Sequence, residues 1–549
     1  MKRKWIYWLI FLIAIAAGGY AVLQQFNSQT DNKLYKKINK FESSQAIKNG
    51  SGEYGVSSSN SIAVEVGTDV LENGGNAVDA AIAVSYALGV VEPYGSGIGG
   101  GGGMLILPGN QSDKPTFFDY RETSPISTEG SEKKIGVPGF VKGMEAIHDK
   151  YGSKNMDQLI DPAIKLANDG FPVGQQLSER LKGAQYRLSE AEIPNFFPRN
   201  KPIEEGKTLK QPELAETLEL IKEKGSDVFY NGELAEEIAE DVPGIQKEDL
   251  EKYSVKEREP VHGEFAGYDV ISAPPPFSGI TLIQSLQMAE MLNIQKTEQD
   301  TALFTHVISE ITNRANSDRV AHIGDPAFSD IDDEALTSKE YSRKLAQDLS
   351  LNKLSDKYKL EGDDLEEEHI STTHFVVTDK EGTVVSVTNT LSNFFGSGEN
   401  LEGFFLNNNL NNFNNTKTSL NYYEPDKRSR TFTAPTILKK DDEVIGIGTP
   451  GGSRIPMMLT EVLVRHLLFK DSLQDAIDAP RFSIENNHLY TEFQYPTSVR
   501  EELEGMGYDV KEKSSAIYYG GIQAIVIDQK NNRIYGAADP RRQGTWKVK

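Results

Sequence analysis

His369-Ile370-Ser371-Thr372-Thr373-His374-Phe375 is the stretch on which the fold of this 549-residue chain turns. A strongly acidic, helix-like run, Leu360 to Glu368, precedes it. A β-branched run, Phe375 to Thr378, follows and leads on to Asn389-Thr390-Leu391-Ser392. A small hydroxyl pair at a loop-to-strand boundary is what an enzyme needs if it frees its own nucleophile by cutting its chain. The hydroxyl attacks the preceding carbonyl, an N-to-O acyl shift follows, and water releases a new N-terminus. The freed α-amine, with an ordinary pKa of about 8, then serves as base to its own hydroxyl. Thr-Thr before a strand is common, so the pair gains its meaning from the rest of the chain.

Outward from that centre, the C-terminal part is strand-rich: Phe375 to Thr378, Val384 to Thr388, Gly403 to Leu406, Thr436 to Leu438, Val444 to Ile447, Ala524 to Ile527 and Arg533 to Ala537. Helical patterns interrupt it at Pro456 to Phe469 and Leu473 to Asp478. Upstream, Ser61 to Leu71 and Ala77 to Leu88 carry apolar residues at helical spacing, broken by Asn73-Gly74-Gly75-Asn76. Ser96-Gly97-Ile98-Gly99-Gly100-Gly101-Gly102-Gly103 then enters a strand, Met104 to Leu107. It lacks the Gly-Lys-Ser/Thr and the following helix of a phosphate cradle. The glycines are instead expected to let backbone pack closely beside the active centre. Strand Thr116 to Tyr120 ends in Arg121-Glu122, and Gly136 starts a long helical region reaching Glu240. Val261 to Ile271 and Pro274 to Gly279 bring the chain back to helices from Ile280, and Ser338 to Glu368 is charged and expected to be exposed. Helices, strands, helices and strands again, without strict βαβ alternation, predict two packed sheets with helices on their outer faces.

Composition narrows the function. A net charge of −23 opposes nucleic-acid binding and requires that any polyanionic substrate meet a local arginine cluster. The absence of cysteine excludes disulfides, a cysteine nucleophile and lipidation on Cys. Eight scattered histidines show no H-E-x-x-H spacing, so no metal and no cofactor is expected. Met1-Lys2-Arg3-Lys4 before the apolar run Trp5 to Leu23 predicts a membrane anchor with its basic head in the cytoplasm. Ala14-Ile15-Ala16 leaves signal-peptide cleavage open, and residues 24–53 form a polar tether before the globular part.

Five motifs now stand in one order: Gly97-Ile98-Gly99-Gly100-Gly101-Gly102, Asp119-Tyr120-Arg121-Glu122, Ser371-Thr372-Thr373-His374, Asn407-Asn408 and Pro450-Gly451-Gly452-Ser453-Arg454-Ile455. With them the chain, from Tyr54 to Trp546, resembles the γ-glutamyltransferase family of N-terminal-nucleophile hydrolases. The resemblance implies an α+β, four-layer αββα sandwich, cut between Ser371 and Thr372. Residues 54–371 and 372–549 would be the large and small subunits, staying together as a heterodimer. It implies Thr372 as nucleophile, Thr390 as its supporting hydroxyl, Gly451 and Gly452 as the oxyanion hole, and Arg121 as reader of the donor's α-carboxylate. Ser392, Asn409, Asn412, Thr431 and Ser453 are carried over as further substrate contacts.

Departures from glutathione-cleaving members refine that picture. Where those members read a free α-ammonium with asparagine, glutamine or glutamate, and aspartate, this chain has Ser392, Asn409 and Asn412. Phe432 replaces their second carboxylate-binding serine. Inside a poly-γ-glutamate chain every α-amine is acylated while every α-carboxylate remains. Such a donor calls for guanidinium groups, which pair bidentately with carboxylates. Candidates are Arg430, Arg454 and Arg542, with Arg428 and Arg541 open between ligand contact and solvated surface charge. Ser392-Asn393-Phe394-Phe395-Gly396, Lys427-Arg428-Ser429-Arg430-Thr431-Phe432 and Arg541-Arg542-Gln543-Gly544-Thr545-Trp546 are similar to the capsule-processing branch. That branch implies poly-γ-glutamate as donor and peptidoglycan, another amine or water as acceptor, at the outer cell surface. The competing expectations are a scavenging enzyme acting on glutathione or small γ-glutamyl peptides, and a non-catalytic polymer-binding protein.

Overall fold

The computed structural model describes residues 52–110, 113–126, 134–362 and 371–549. The expected N-terminal anchor, residues 1–23, and the acidic run from 363 to 368 lie outside the described residues. Among the described residues, no helix is long and apolar enough to cross a membrane.

Two antiparallel sheets face each other. The first has seven strands in the order Thr545–Val548, Gly55–Ser58, Ser371–Thr378, Val384–Ser392, Gly101–Leu107, Thr116–Asp119, Lys256–Arg258. The second has six: Arg533–Ala538, Gln523–Asp528, Glu443–Gly448, Thr436–Lys440, Tyr268–Ser272, Val261–Phe265. Between them lies an apolar layer that includes Leu105, Phe117, Phe277, Val376, Val384, Ile437 and Ile525. Alternation along each strand sends one set of side chains into this layer and the other under the helices. At Gly446 the sheets approach so closely that a Cβ would meet Val376 Cγ1 at 2.6 Å.

Helices cover both outer faces, which completes the expected αββα sandwich. On the first sheet lies Ala77–Val91, buried on nearly all sides, as its largely apolar sequence requires. Asn76 starts it with a capping box, its side chain accepting from Asp79 N while Asp79 accepts from Asn76 N. Pro93 follows the C-cap Glu92 and cannot continue the helix. Phe140–Tyr151 and Met156–Asp169 complete that layer. On the second sheet lies Gly279–Met291, backed by Thr301–His322 and Ile455–Leu467. A small three-stranded sheet, Phe482–Glu485, His488–Thr491 and Asp509–Glu512, packs at one end; its short, mixed sequence gave no strand signal.

The glycine-rich stretch does what its composition suggested. Gly101–Leu107 pairs with Val384–Ser392, placing Gly101 opposite Thr390. A Cβ at Gly100 would lie 2.3 Å from Thr390 O, and one at Gly102 2.5 Å from Thr388 O. Any side chain there would push the Thr390 strand away.

Candidate active site

Thr372 lies in the strand Ser371–Thr378, with Thr390 opposite it on Val384–Ser392. A bulge follows Thr390, and Ser392 takes a left-handed conformation, φ +75°. Such kinks re-aim side chains at active sites. Here the kink brings Ser392 N to within 2.9 Å of Thr390 Oγ1. Thr390 Oγ1 stands 3.2 Å from Thr372 Oγ1 and donates to Ser371 O at 2.7 Å. Ser371 O belongs to the peptide bond that precedes Thr372. That carbonyl is thus polarised beside the Thr372 hydroxyl.

Both neighbours of Thr372 are tied down on the helical side. Ser371 Oγ donates to Tyr94 O, and Thr373 Oγ1 donates to Glu92 Oε2 at 2.9 Å. Ser59 Oγ reaches the same carboxylate oxygen at 3.0 Å. Burial raises the Glu92 carboxyl above its ordinary value, against the hydrogen bonds from Thr373, Ser59 and Tyr94 and the charge of Arg542. Glu92 and Tyr94 escaped the sequence reading; the signal was a lone carboxylate between the apolar helix and the glycines. On the sheet-facing side, His374 Nδ1 pairs with Thr388 Oγ1 at 2.9 Å. Burial pushes its imidazole down to about 3, so it stays neutral packing and no base. Gly448 abuts this ring: a Cβ there would lie 2.2 Å from His374 Cε1. From Gly448 the chain runs through Thr449 and Pro450 to Gly451, φ +149°, and Gly452, φ +59°. Those angles favour glycine.

The pocket beside Thr372 is lined by Arg121, Thr390, Ser392, Asn412, Thr431, Phe432, Thr433, Gly452 and Ile455. Most of the carried-over site therefore converges. Arg121 is buried; its Nε donates to Glu122 Oε2 at 3.1 Å and its Nη2 faces Ser429 Oγ at 3.5 Å. Its Nη1 and the hydroxyl of Ser392 have no partner among the described residues. Asn409 stands behind the pocket, its Nδ2 on Glu122 and its Oδ1 accepting from Ser429 Oγ (2.6 Å) and Asn412 Nδ2 (3.1 Å). Ser429 was not singled out in the sequence, because it sits inside a basic run whose charges drew the reading.

That basic run turns away from the pocket, which corrects the role expected for Arg430. Its Nη1 donates to the carbonyls of Val320 (2.8 Å) and Arg319 (3.3 Å), at the end of the helix Thr301–His322. Helix-terminal carbonyls are a natural seat for a guanidinium. Arg428 is buried and pairs with Asp119 at 3.3 Å, and Arg541 with Glu492 at 2.6 Å and Asp539 at 3.2 Å. Neither is a solvated charge. Arg454 Nε donates to Tyr518 O, with the guanidinium 3.9 Å from the Tyr518 ring centroid, and Arg542 Nη2 donates to Ile517 O. Both flank the 516–521 turn rather than lining the pocket, and Ser453, half-buried, lies outside the lining as well.

Residues 63–548 match the family model described as gamma-glutamyltranspeptidase. The chain belongs to that family. It is a gamma-glutamyl transferase and hydrolase. Over 540 residues it is 48% identical to the capsule biosynthesis protein CapD proenzyme of Bacillus anthracis, covering 98% of this chain and 97% of that one. Over 589 residues it is 33% identical to a glutathione hydrolase proenzyme of Bacillus subtilis, covering 99% and 98%. In shape it resembles a cephalosporin acylase from Bacillus halodurans, with a TM-score of 0.83, 25% identity, and coverage of 92% of this chain and 97% of that one. The gamma-glutamyltranspeptidase fold thus accounts for both sheets and their helical covers.

Proposed function

We propose that this gamma-glutamyltranspeptidase cuts itself between Ser371 and Thr372 and then cleaves poly-γ-glutamate, passing the acyl group to an amine or to water. In the first reaction Thr372 Oγ1 attacks the Ser371 carbonyl, whose oxygen Thr390 already polarises. The C–N bond gives way to an ester on Oγ1, and water releases Ser371 as a carboxylate and Thr372 as a free amine. In the second, Thr372 Oγ1 attacks a γ-carbonyl while its own amine takes the proton and hands it to the leaving nitrogen. Gly451 and Gly452 supply backbone N–H groups to the developing oxyanion; losing such a donor typically costs on the order of 3 kcal/mol. The amine of an acceptor, or water, then reverses the step.

One observation carries the choice of donor: the pocket lining holds one guanidinium and no carboxylate. Arg121 Nη1 is available to an α-carboxylate, whereas among the described residues of the lining a free α-ammonium meets neutral hydroxyls and the amide of Asn412 and no counter-charge. An acylated nitrogen, as inside a γ-linked polymer, needs no counter-charge. The capsule-protein relative at 48% identity supports the same donor. Peptidoglycan amines are the acceptor we assign, and the outer face of the cell membrane the location, with residues 1–23 as tether.

Intact-mass analysis of the purified chain and of Thr372→Ala, before and after incubation with poly-γ-glutamate, tests this reading. Wild type should split before Thr372 and shorten the polymer, and an added amine should appear on the new polymer ends. The variant should do neither. Splitting with glutathione turnover but no action on the polymer would reinstate the small-peptide reading. An unsplit wild type would remove Thr372 from its role.

A further inference from the structure

Arg180 belongs to no motif of the chain and takes no part in the chemistry above, yet a chain of ring contacts joins it to Tyr94, which holds Ser371. It lies on the helix Gln175–Ala184, its guanidinium carbon 4.0 Å from the centroid of the Phe394 ring. Phe394 follows Ser392 in the loop leaving the bulge, and Tyr94 meets it edge-on at 6.1 Å. Tyr94 O in turn holds Ser371. The start of the same helix abuts the turn that carries Arg542: a Cβ at Gly174 would lie 3.7 Å from Gln543 Oε1. Among the described residues the one hydrogen bond of the Arg180 guanidinium is long, from Nη2 to Gln176 Oε1 at 3.4 Å. Its Nε is buried without a partner among the described residues.

Charge is gathered here against its natural tendency. Arg542 is held down to about 9, first by burial, then by the charges of Arg180 and Arg454, with Tyr94 and Glu92 opposing. Burial lowers Arg180 too, against the charges of Tyr94, Glu179 and Glu92. Guanidinium groups brought together under partial desolvation repel one another, and a polyanion lying across them relieves that repulsion. A stacked guanidinium also keeps its planar fork pre-organised for a carboxylate.

We propose that Arg180, stacked on Phe394 beside Arg542, takes a carboxylate of the donor polymer beyond the reacting γ-glutamyl unit. It thereby sets the preference for long poly-γ-glutamate over short γ-glutamyl peptides. The inference rests on the donor assigned above. It extends the substrate path from the Arg121 pocket, past Thr372, to the helix Gln175–Ala184.

The test compares kcat/KM for long poly-γ-glutamate and for a γ-glutamyl dipeptide in wild type, Arg180→Met and Arg180→Lys. Methionine keeps an apolar stem on Phe394 and removes the charge. The wild-type advantage of polymer over dipeptide should shrink about tenfold in Arg180→Met, as expected for one charge-assisted contact. The loss should sit in KM rather than kcat, and the salt dependence of the polymer KM should flatten. Arg180→Lys should recover part of it. An unchanged ratio in Arg180→Met would overturn the inference and leave the donor assignment standing. An equal loss on both donors, with slowed self-cleavage, would make Arg180 only a brace for the loop and overturn it too. A wild type that turns over the dipeptide and ignores the polymer would refute the donor assignment and this inference with it.

Discussion

Thr390 has one proton to give and two lone pairs, and all three are committed. Its proton goes to Ser371 O, which can only accept. One lone pair takes the Ser392 N–H, so the 3.2 Å contact with Thr372 must run from Thr372 Oγ1 to Thr390. The Thr372 hydroxyl therefore directs its proton at Thr390 Oγ1, which leaves its lone pairs for the attack proposed above. Alanine at 390 removes the carbonyl's donor and the nucleophile's acceptor in one change, without disturbing a packed apolar core. Self-cleavage of Thr390→Ala should slow by about a hundredfold, the usual scale for one lost donor at a developing oxyanion. Thr390→Ser should restore most of it. A time course of intact mass on freshly made precursor measures both, and cleavage of Thr390→Ala at the wild-type rate would contradict the assignment.

Elements explain which parts of the site could be read in advance. Thr372, Thr390 and the glycines show in the sequence because their chemistry depends on backbone: strand register, a bulge, and close approach at Gly100 and Gly102. The arginines other than Arg121 do not, because a run of letters does not say which way a side chain leaves its loop. Lys427 to Arg430 looked like a carboxylate-reading patch, yet Arg428 and Arg430 are committed to Asp119 and to helix-end carbonyls. Only the small Ser429 between them faces the Arg121 network. Glu461, on the helix Ile455–Leu467 that follows the Gly451–Gly452 turn, was equally silent. Both its carboxylate oxygens are buried without a hydrogen bond among the described residues. Burial pushes it up to about 8, against Arg481, Arg465 and Arg541 and with Glu492 adding to the rise. A carboxyl raised in the fold keeps a proton that the unfolded chain releases above its ordinary value near 4.5. Its contribution to stability is therefore full below that value and is lost as pH rises through about 8. Melting of Glu461→Gln and wild type, compared from pH 5 to pH 8.5, should show the variant gaining steadily on wild type as pH rises. A difference independent of pH would mean that Glu461 is ionised throughout.

At the scale of the whole molecule, the expected cut falls in the middle of a shared sheet. Counting strands on either side of Thr372, the first sheet reads late, early, late, late, early, early, early from Thr545–Val548 to Lys256–Arg258. Gly55–Ser58 is thus held between Thr545–Val548 and Ser371–Thr378, and Val384–Ser392 pairs with Gly101–Leu107. In the second sheet Thr436–Lys440 pairs with Tyr268–Ser272. Separating the two pieces would open three ladders between early and late strands in the first sheet and one in the second, and expose the apolar layer between the sheets. Burial of apolar surface on this scale resists dissociation far more than any surface ion pair does. The cleaved chain should therefore run as one particle of about the uncut mass, 60.8 kDa for the full sequence, in native mass spectrometry, and as two bands under denaturing conditions. Residues 372–549 made alone lack the strands that flank Ser371–Thr378 on one side and Val384–Ser392 on the other, so they should not fold or acquire activity. Co-expression with residues 54–371 should rescue both, and a soluble, active 372–549 fragment would show that the interleaved sheets are dispensable.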